Sequence, residues 1–395
     1  MYGEAAGKYP HVFSPLRVKN IIYKNRLCST TMSTVPTHTH LSSTNYGGIG
    51  IYDKALGGVA MIGMMYHGKA GASHYEANGA DPFASKYDLD VLREGAADLV
   101  LLGRSLVADP FWSKKVLEGR EDDIVPCIRC NNCYHIATEH FNTCCTVNPR
   151  VYRENRVPLT PPRAQTARSV VVVGGGPAGL KAALTAAQRG HQVTLVEQSG
   201  ALGGLMIPAS VGAFKEDLRR YLSYLRRQVE KSQIHVMLHT RADRALLERL
   251  HPDAVILAVG GRAVMPPVPG LGTSGAVQAV ALLNAGLETA GTRVTILGGG
   301  SIGCELALDR MVTVVELRDK LAANGNELYR QDLMLHLEQE TRITLLTQTV
   351  CTGVTAQGCT VREKDGGTRV IPHDTFVIAA GLRADADAVE ALYAQ

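Results

Sequence analysis

The chain has 395 residues, enough for two or three domains, each with its own core. Lys and Arg exceed Asp and Glu by only four, so the charge gives no reason to expect nucleic acid or a membrane surface as partner. Forty glycines against six Phe and one Trp favour an α/β protein rich in tight, phosphate-binding turns.

Residues 1–118 hold short apolar strands with Gly-rich connections, at Arg26 to Met32, Gly58 to Gly63 and Ala97 to Gly103. The opening MYGEAAGKYPHVF lacks the basic-then-apolar profile of a signal peptide, and no apolar run has transmembrane length. A cytoplasmic protein is expected, in which the nine cysteines serve as metal ligands or buried thiols rather than disulfides.

Residues 119–156 have no regular period and carry Cys127, Cys130 and Cys133, followed by Cys145 twelve residues on. Three closely spaced thiolates and a distant fourth suit a [4Fe–4S] cube, which needs four soft sulfur ligands. Zinc is the competing reading, although it prefers two CxxC pairs. Cys144 adjoins Cys145, and either fits as the fourth ligand. His135 and His140 lie nearby and read as solvated loop residues, while Cys28, Cys304, Cys351 and Cys359 read as small buried hydrophobes.

A Pro-rich linker at 157–168 marks a domain boundary. From Ser169 the pattern is strand, glycine turn, helix, strand. Gly174, Gly176 and Gly179 form GxGxxG between strand and helix: a tight turn, a close backbone approach to pyrophosphate, and close helix–strand packing. Glu197 ends the next strand, placed to bond a ribose hydroxyl pair. Leu218, Tyr221, Leu222 and Leu225 then give a helix from Phe214 to about Val229. Gly298, Gly300, Gly303 and Glu316 repeat the arrangement. An acid at that strand end favours NAD over NADP, and Arg318 leaves NADP open. The second crossover is shorter, fourteen residues from Leu297 to Val312 against nineteen from Val173 to Val193, so its helix loses more than a turn. A cluster beside two dinucleotide folds implies an oxidoreductase.

This order of segments resembles the iron–sulfur flavoenzymes of the old yellow enzyme superfamily: dienoyl-CoA reductase, trimethylamine dehydrogenase, and the bile-acid and enoate reductases. PheSerProLeuArgValLysAsn with LysAsnArg (13–26) is similar to the start of their FMN-binding barrel, and AlaAspLeuValLeuLeuGlyArg (97–104) with AlaAspPro (108–110) to its last strand. ProCysIleArgCysAsnAsnCys (126–133) and CysThrValAsnPro (145–149) resemble their cluster segment, and 169–381 their FAD and NAD domains. The resemblance implies four regions. They are an incomplete (β/α) FMN-type barrel at 1–118, an iron–sulfur segment at 119–156, an FAD domain at 169–270 with 365–395, and an NAD(P) domain at 271–364. It also implies Thr30, Thr31 and Met32 near an FMN ring, Gly103 and Arg104 at its phosphate, and Gly204 and Gly260 among the FAD and NAD contacts.

Three departures from the family stand out. The middle barrel strands, which bear its His and Tyr active-site motifs, have no counterpart, the join lying near 80–92. The second nucleotide helix is short. The chain also stops at Gln395, before the family's terminal Gly-Asp segment. No catalytic acid is assigned; Tyr66 and His67 read as loop residues. Three functions follow: an NAD(P)H-dependent reductase of an activated C=C bond in an enoate, dienoyl-CoA or steroid-like substrate; a cluster–FAD module passing electrons from NADH to a partner protein; or a degenerate, non-catalytic product. A homo-oligomer is compatible with each.

Overall fold

The computed structural model describes residues 9–18, 21–29, 56–59, 61–62, 100–133, 144–308 and 311–393. The chain divides into two compact units, Met1–Pro162 and Arg163–Gln395. Among the described residues no helix is long and apolar enough to cross a membrane.

In the first unit a one-turn helix α1 (Pro10–Phe13) precedes the antiparallel pair β1 (Leu16–Val18) and β2 (Ile21–Tyr23). Then β3 (Leu27–Ser29) lies between β4 (Met61–Ile62) and β5 (Val100–Leu102), parallel to both. First strand, second strand and last strand are thus neighbours, which is the sheet expected of the two ends of a barrel brought together. Helices α2 (Arg104–Ala108) and α3 (Trp112–Leu117) follow, and Leu27, Leu102, Leu106 and Val116 bury a small core. Asp109, only 3 % exposed, holds the turn between these helices: it accepts from Phe111 N and Val125 N and pairs with Lys115 at 2.6 Å. Asn148 donates to the Val107 carbonyl at 2.8 Å, so the cysteine segment is part of this unit rather than a separate body.

The second unit contains two lobes. In the first, β6 (Ser169–Val173), α4 (Pro177–Gln188), β7 (Gln192–Val196), a short helix α5 (Met206–Ala209), α6 (Glu216–Glu230), β8 (His235–Met237), α7 (Arg244–Leu250) and β9 (Ala254–Leu257) build a parallel sheet ordered β8-β7-β6-β9. The Val run of β6 is buried almost throughout, as a central parallel strand covered on two faces must be. The chain leaves through β10 (Gly261–Ala263). The second lobe follows with β11 (Val277–Gln278), α8 (Ala279–Ala285), β12 (Arg293–Leu297), α9 (Ser301–Ala307), β13 (Met311–Val315), α10 (Glu327–Gln339) and β14 (Ile343–Leu346). A three-stranded antiparallel sheet of β15 (Val350–Val354), β16 (Gly358–Arg362) and β17 (Thr368–Pro372) is appended, before β18 (Thr375–Ile378). Strand β19 (Leu382–Ala384) pairs back antiparallel with β10, and α11 (Ala386–Tyr393) sends Leu392 to the core of the first lobe.

One boundary needs correction. Residues from 365 onward were expected in the FAD domain, but β17 and β18 belong to the second lobe. Strand β18 pairs with β12 as β9 pairs with β6, and the return begins only at β19. The shortened second helix is found as expected, seven residues in α9 against twelve in α4.

Candidate functional site

Cys127, Cys130, Cys133 and Cys145 line one small pocket, together with Arg104, Val107, Asn131 and Thr146. Arg129 and Asn131, between the first three cysteines, adopt left-handed backbone angles of φ 48° and 54°. Such angles are uncommon away from glycine and cost about 1 kcal/mol or more each, so the surroundings must hold this loop in place. The Arg104 guanidinium donates to Asn131 Oδ1, and Cys130 Sγ lies 3.3 Å from Thr146 Oγ1. Cys144 is absent from the pocket lining; its sulfur instead accepts from Asn132 Nδ2 at 3.5 Å.

Burial, reinforced by the Cys145, Cys127 and Cys130 charges, pushes the Cys133 thiol up to about 12. Burial also raises Cys145 to about 11, against the opposing pull of the Val147 and Asn148 backbone. Four sulfur donors gathered around one small pocket, two of them buried enough to resist ionisation, form a set suited to a positive group, which would stabilise their thiolates. Among the described residues no three His, Cys, Asp or Glu side chains converge tightly enough for one metal ion. A single zinc draws its sulfurs to about 2.3 Å, whereas a cube spreads its ligands over separate corners. Four sulfur donors around one pocket fit the four corners of a [4Fe–4S] cube. Arg104, expected at an FMN phosphate, has Asn131 as its partner here, and Gly103 precedes it as the first residue flanking α2. Thr30, Thr31, Met32, Tyr66, His67, His135 and His140 lie outside the described residues.

The two lobes build the same cradle twice. Gly174 and Gly298 have φ of 107° and 110°, and each donates its N–H to the last residue of the neighbouring strand, Val196 and Val315. A Cβ on Gly179 or Gly303 would sit 1.8 or 2.0 Å from the carbonyl oxygen of the first glycine, so only glycine allows helix and strand this close. Gly176 and Gly300 precede the first turns of α4 and α9. In the first lobe a Cβ on Gly204 would meet Gly176 Cα at 2.9 Å, which closes the cradle from the far side. Gly260 (φ 74°) lies just before β10, away from that contact.

The two acids do more than sequence reasoning assigned them. Glu197 accepts from Gly175 N and Ser199 N, both at 2.7 Å. Glu316 accepts from Gly299 N at 2.6 Å and Arg318 N at 2.8 Å. Each carboxylate holds the glycine loop in shape and keeps further lone pairs unused by these bonds. Around the second cradle lies a cavity of about 370 Å³, lined by Gly298 to Gly300, Glu316, Arg318, Lys320, Asn324 and Cys351.

Between the lobes is a mainly apolar cavity of about 210 Å³, lined by Leu205, Pro208, Phe214, Val280, Ile302 and Leu306. At its wall Lys215 Nζ of the first lobe meets Glu305 Oε1 of the second at 2.5 Å, and Tyr329 OH bonds to the same oxygen. Lys215 Nζ is also 3.0 Å from Tyr329 OH and 5.0 Å from the Phe214 ring centre. Burial and the Glu305 charge raise the Tyr329 phenol, which stays protonated as a donor. This triad was not legible in the sequence, since its members are 90 and 114 residues apart from Lys215.

The family model for pyridine nucleotide-disulphide oxidoreductase matches residues 168–394, more than half of the chain. An NADH oxidase of Thermoanaerobacter brockii is 35 % identical over 303 residues, covering 74 % of this chain and 46 % of its own length. A bilirubin reductase of Mediterraneibacter gnavus is 33 % identical over 308 residues, covering 76 % and 47 %. Among solved structures, a 2-naphthoyl-CoA reductase complex aligns with a TM-score of 0.73 at 28 % identity, over 78 % of this chain and 47 % of that one. The chain spans about half the length of the relatives it matches, and the resemblance read from the sequence holds.

Proposed function

We propose a function that starts from family: the chain belongs to the pyridine nucleotide-disulphide oxidoreductases. Its best-supported activity is that of an NAD(P)H-dependent flavin and iron–sulfur oxidoreductase. In the whole protein the reaction would be reduction of an activated C=C bond in a small enoate, dienoyl-CoA or steroid-like substrate. The observation that carries this reading is the gathering of Cys127, Cys130, Cys133 and Cys145 around one pocket, in a chain that also holds two glycine cradles.

The first cradle suits FAD, with Gly174, Gly176, Gly179 and Gly204 giving the backbone approach and Glu197 the ribose contact. The second suits NAD(P)H, with Gly298, Gly300, Gly303 and Glu316; Arg318 and Lys320 line the same cavity, which leaves room for a 2′-phosphate. The four thiols would hold the cluster, with Cys145 rather than Cys144 as the fourth ligand. When bound, a flavin takes a hydride from a reduced nicotinamide and an iron–sulfur cube passes electrons singly. The chain's own residues supply position and polarity. Glu197 and Glu316 fix the loops, Lys215 and Glu305 tie the lobes, and Leu205, Ile302 and Leu306 keep the space between them apolar.

A second reading, a cluster–FAD module serving an electron-accepting protein, gains support from the barrel region. Between Ile62 and Val100 there are 37 residues, room for roughly one βα unit at about 30 residues each. Anaerobic purification with assay of FAD, FMN, iron and sulfide separates the two. FMN at one per chain supports the reductase; FAD with about four irons and no FMN supports the module. Cys145→Ser should lose iron while Cys144→Ser keeps it. Zinc in place of iron would overturn both readings.

A further inference from the structure

Thr146 follows Cys145 directly and lines the same pocket as the four sulfurs, although the residue itself is exposed. Its hydroxyl oxygen lies 3.3 Å from Cys130 Sγ and accepts from Asn132 Nδ2 at 3.4 Å. The same amide nitrogen donates to Cys144 Sγ at 3.5 Å. The two amide hydrogens of Asn132 therefore have separate acceptors. Cys144, which does not line the pocket, anchors the amide from behind.

The direction of this chain of contacts follows from chemistry. Between a free thiol and a hydroxyl, either atom can donate. A sulfur that ligates iron has lost its proton and can only accept. The Thr146 oxygen already receives a hydrogen from Asn132, so its own hydrogen is the one left for the sulfur. Arg104 lines the same pocket, but its guanidinium is engaged with Asn131.

We propose that Thr146 is a positioning residue for the cluster: its hydroxyl, oriented by Asn132, donates to the Cys130 sulfur and raises the reduction potential of the group held there. The proposal rests on the cluster reading above and deepens it. An electron entering an iron–sulfur cube adds negative charge that spreads onto the ligand sulfurs, so a donor on one of them favours the reduced form. One electron arrives from the reduced flavin, no bond breaks, and the proton stays on the Thr146 oxygen. Partners that act through a ligand in this way set the properties of a metal site without touching the metal.

The test is potentiometric titration of the full-length, anaerobically prepared protein with dithionite, followed by the electron-spin signal of the reduced cluster. Thr146→Val keeps the shape of the side chain and removes the hydroxyl. It should shift the equilibrium about fivefold toward the oxidised cluster, a potential lower by about 40 mV at about 59 mV per tenfold for one electron. Thr146→Ser, which keeps the donor, should restore the native value. Asn132→Leu leaves the hydroxyl in place but unheld, and should lower the potential by less than Thr146→Val. The spin signal counts only molecules that hold a cluster, so a variant that loads less iron still reports its potential. An exchangeable proton coupled to that spin should be present in the native chain and Thr146→Ser, and absent in Thr146→Val.

A native potential in Thr146→Val, or an equal lowering in Thr146→Ser, would overturn the role of the hydroxyl. A larger shift in Asn132→Leu than in Thr146→Val would overturn the order of the chain. If the native protein takes up no iron, the cluster reading itself fails and this proposal falls with it. A loaded native protein with an unmoved Thr146→Val potential sinks the hydroxyl alone.

Discussion

The two lobes of the second unit share their bonding scheme down to single backbone contacts and differ in almost everything else. Asp253 caps the start of β6 by accepting from Ser169 N at 2.8 Å, and Asp374 does the same for β12 through Arg293 N at 3.1 Å. Ala258 N reaches Val173 O as Ala379 N reaches Leu297 O, both at 2.8 Å. Yet α9 is five residues shorter than α4, and Glu316 is more exposed than the buried Glu197. The lesson is that a dinucleotide cradle needs its glycines, its acid and its strand-end pairings, while the length of the helix behind them is negotiable.

The largest effect should come from a methyl group on the third glycine of either cradle. Gly179→Ala and Gly303→Ala each press a Cβ into a carbonyl oxygen, at a cost of about 3 kcal/mol or more. If the cradles are independent, Gly179→Ala loses FAD, whereas Gly303→Ala keeps FAD and loses NADH binding. Flavin absorbance and NADH titration read the difference, and joint loss in both variants would break the parallel.

Next in size is the tie between the lobes. Lys215→Met leaves Glu305 part-buried without its ammonium and should destabilise the second unit by about 2 kcal/mol, less than for a fully buried pair. Urea unfolding of Lys215→Met, Glu305→Leu and the double variant should show coupling, with the double variant recovering part of the loss.

Removing the acids should cost about 1–2 kcal/mol each through the amides they leave unpaired, more at buried Glu197 than at Glu316. Thermal unfolding of Glu197→Ala and Glu316→Ala measures this, and equal losses would remove the burial difference from the comparison.

The smallest effect concerns pH. Hydrogen bonds from Arg293 hold the Asp374 carboxyl well below the usual carboxylate range. A depressed folded value means that the stabilisation is complete above the unfolded value of about 3.9 and is lost as pH falls through the folded one. The melting difference between the native chain and Asp374→Asn should therefore be present at neutral pH and fade in strong acid. A difference that grows on acidification would contradict the pairing.

What could be read from the sequence was whatever the backbone dictates locally. Gly174, Gly179, Gly298 and Gly303 are legible because φ and close approach admit nothing else there. Glu197 and Glu316 are legible from their place at strand ends. The boundary at 365 was misread because strand partners are chosen at long range: AspThrPheValIleAlaAlaGly echoes β9 in its own lobe rather than continuing the first. Cys144 and Cys145 could not be separated, since neighbouring loop residues point apart only once the backbone is known. The same holds for Arg104 with Asn131, and for Lys215 with Glu305 and Tyr329.

Strands β10 and β19 carry the only two chain passages between the lobes among the described residues, and they are zipped together from Gly261 opposite Ala384 to Ala263 opposite Leu382. Two loose threads would let one lobe swivel freely beneath the other. A paired ribbon behaves instead like a leaf spring, yielding to bending across its plane and resisting shear within it. Any change in the spacing of the two lobes must therefore strain both passages together rather than one at a time.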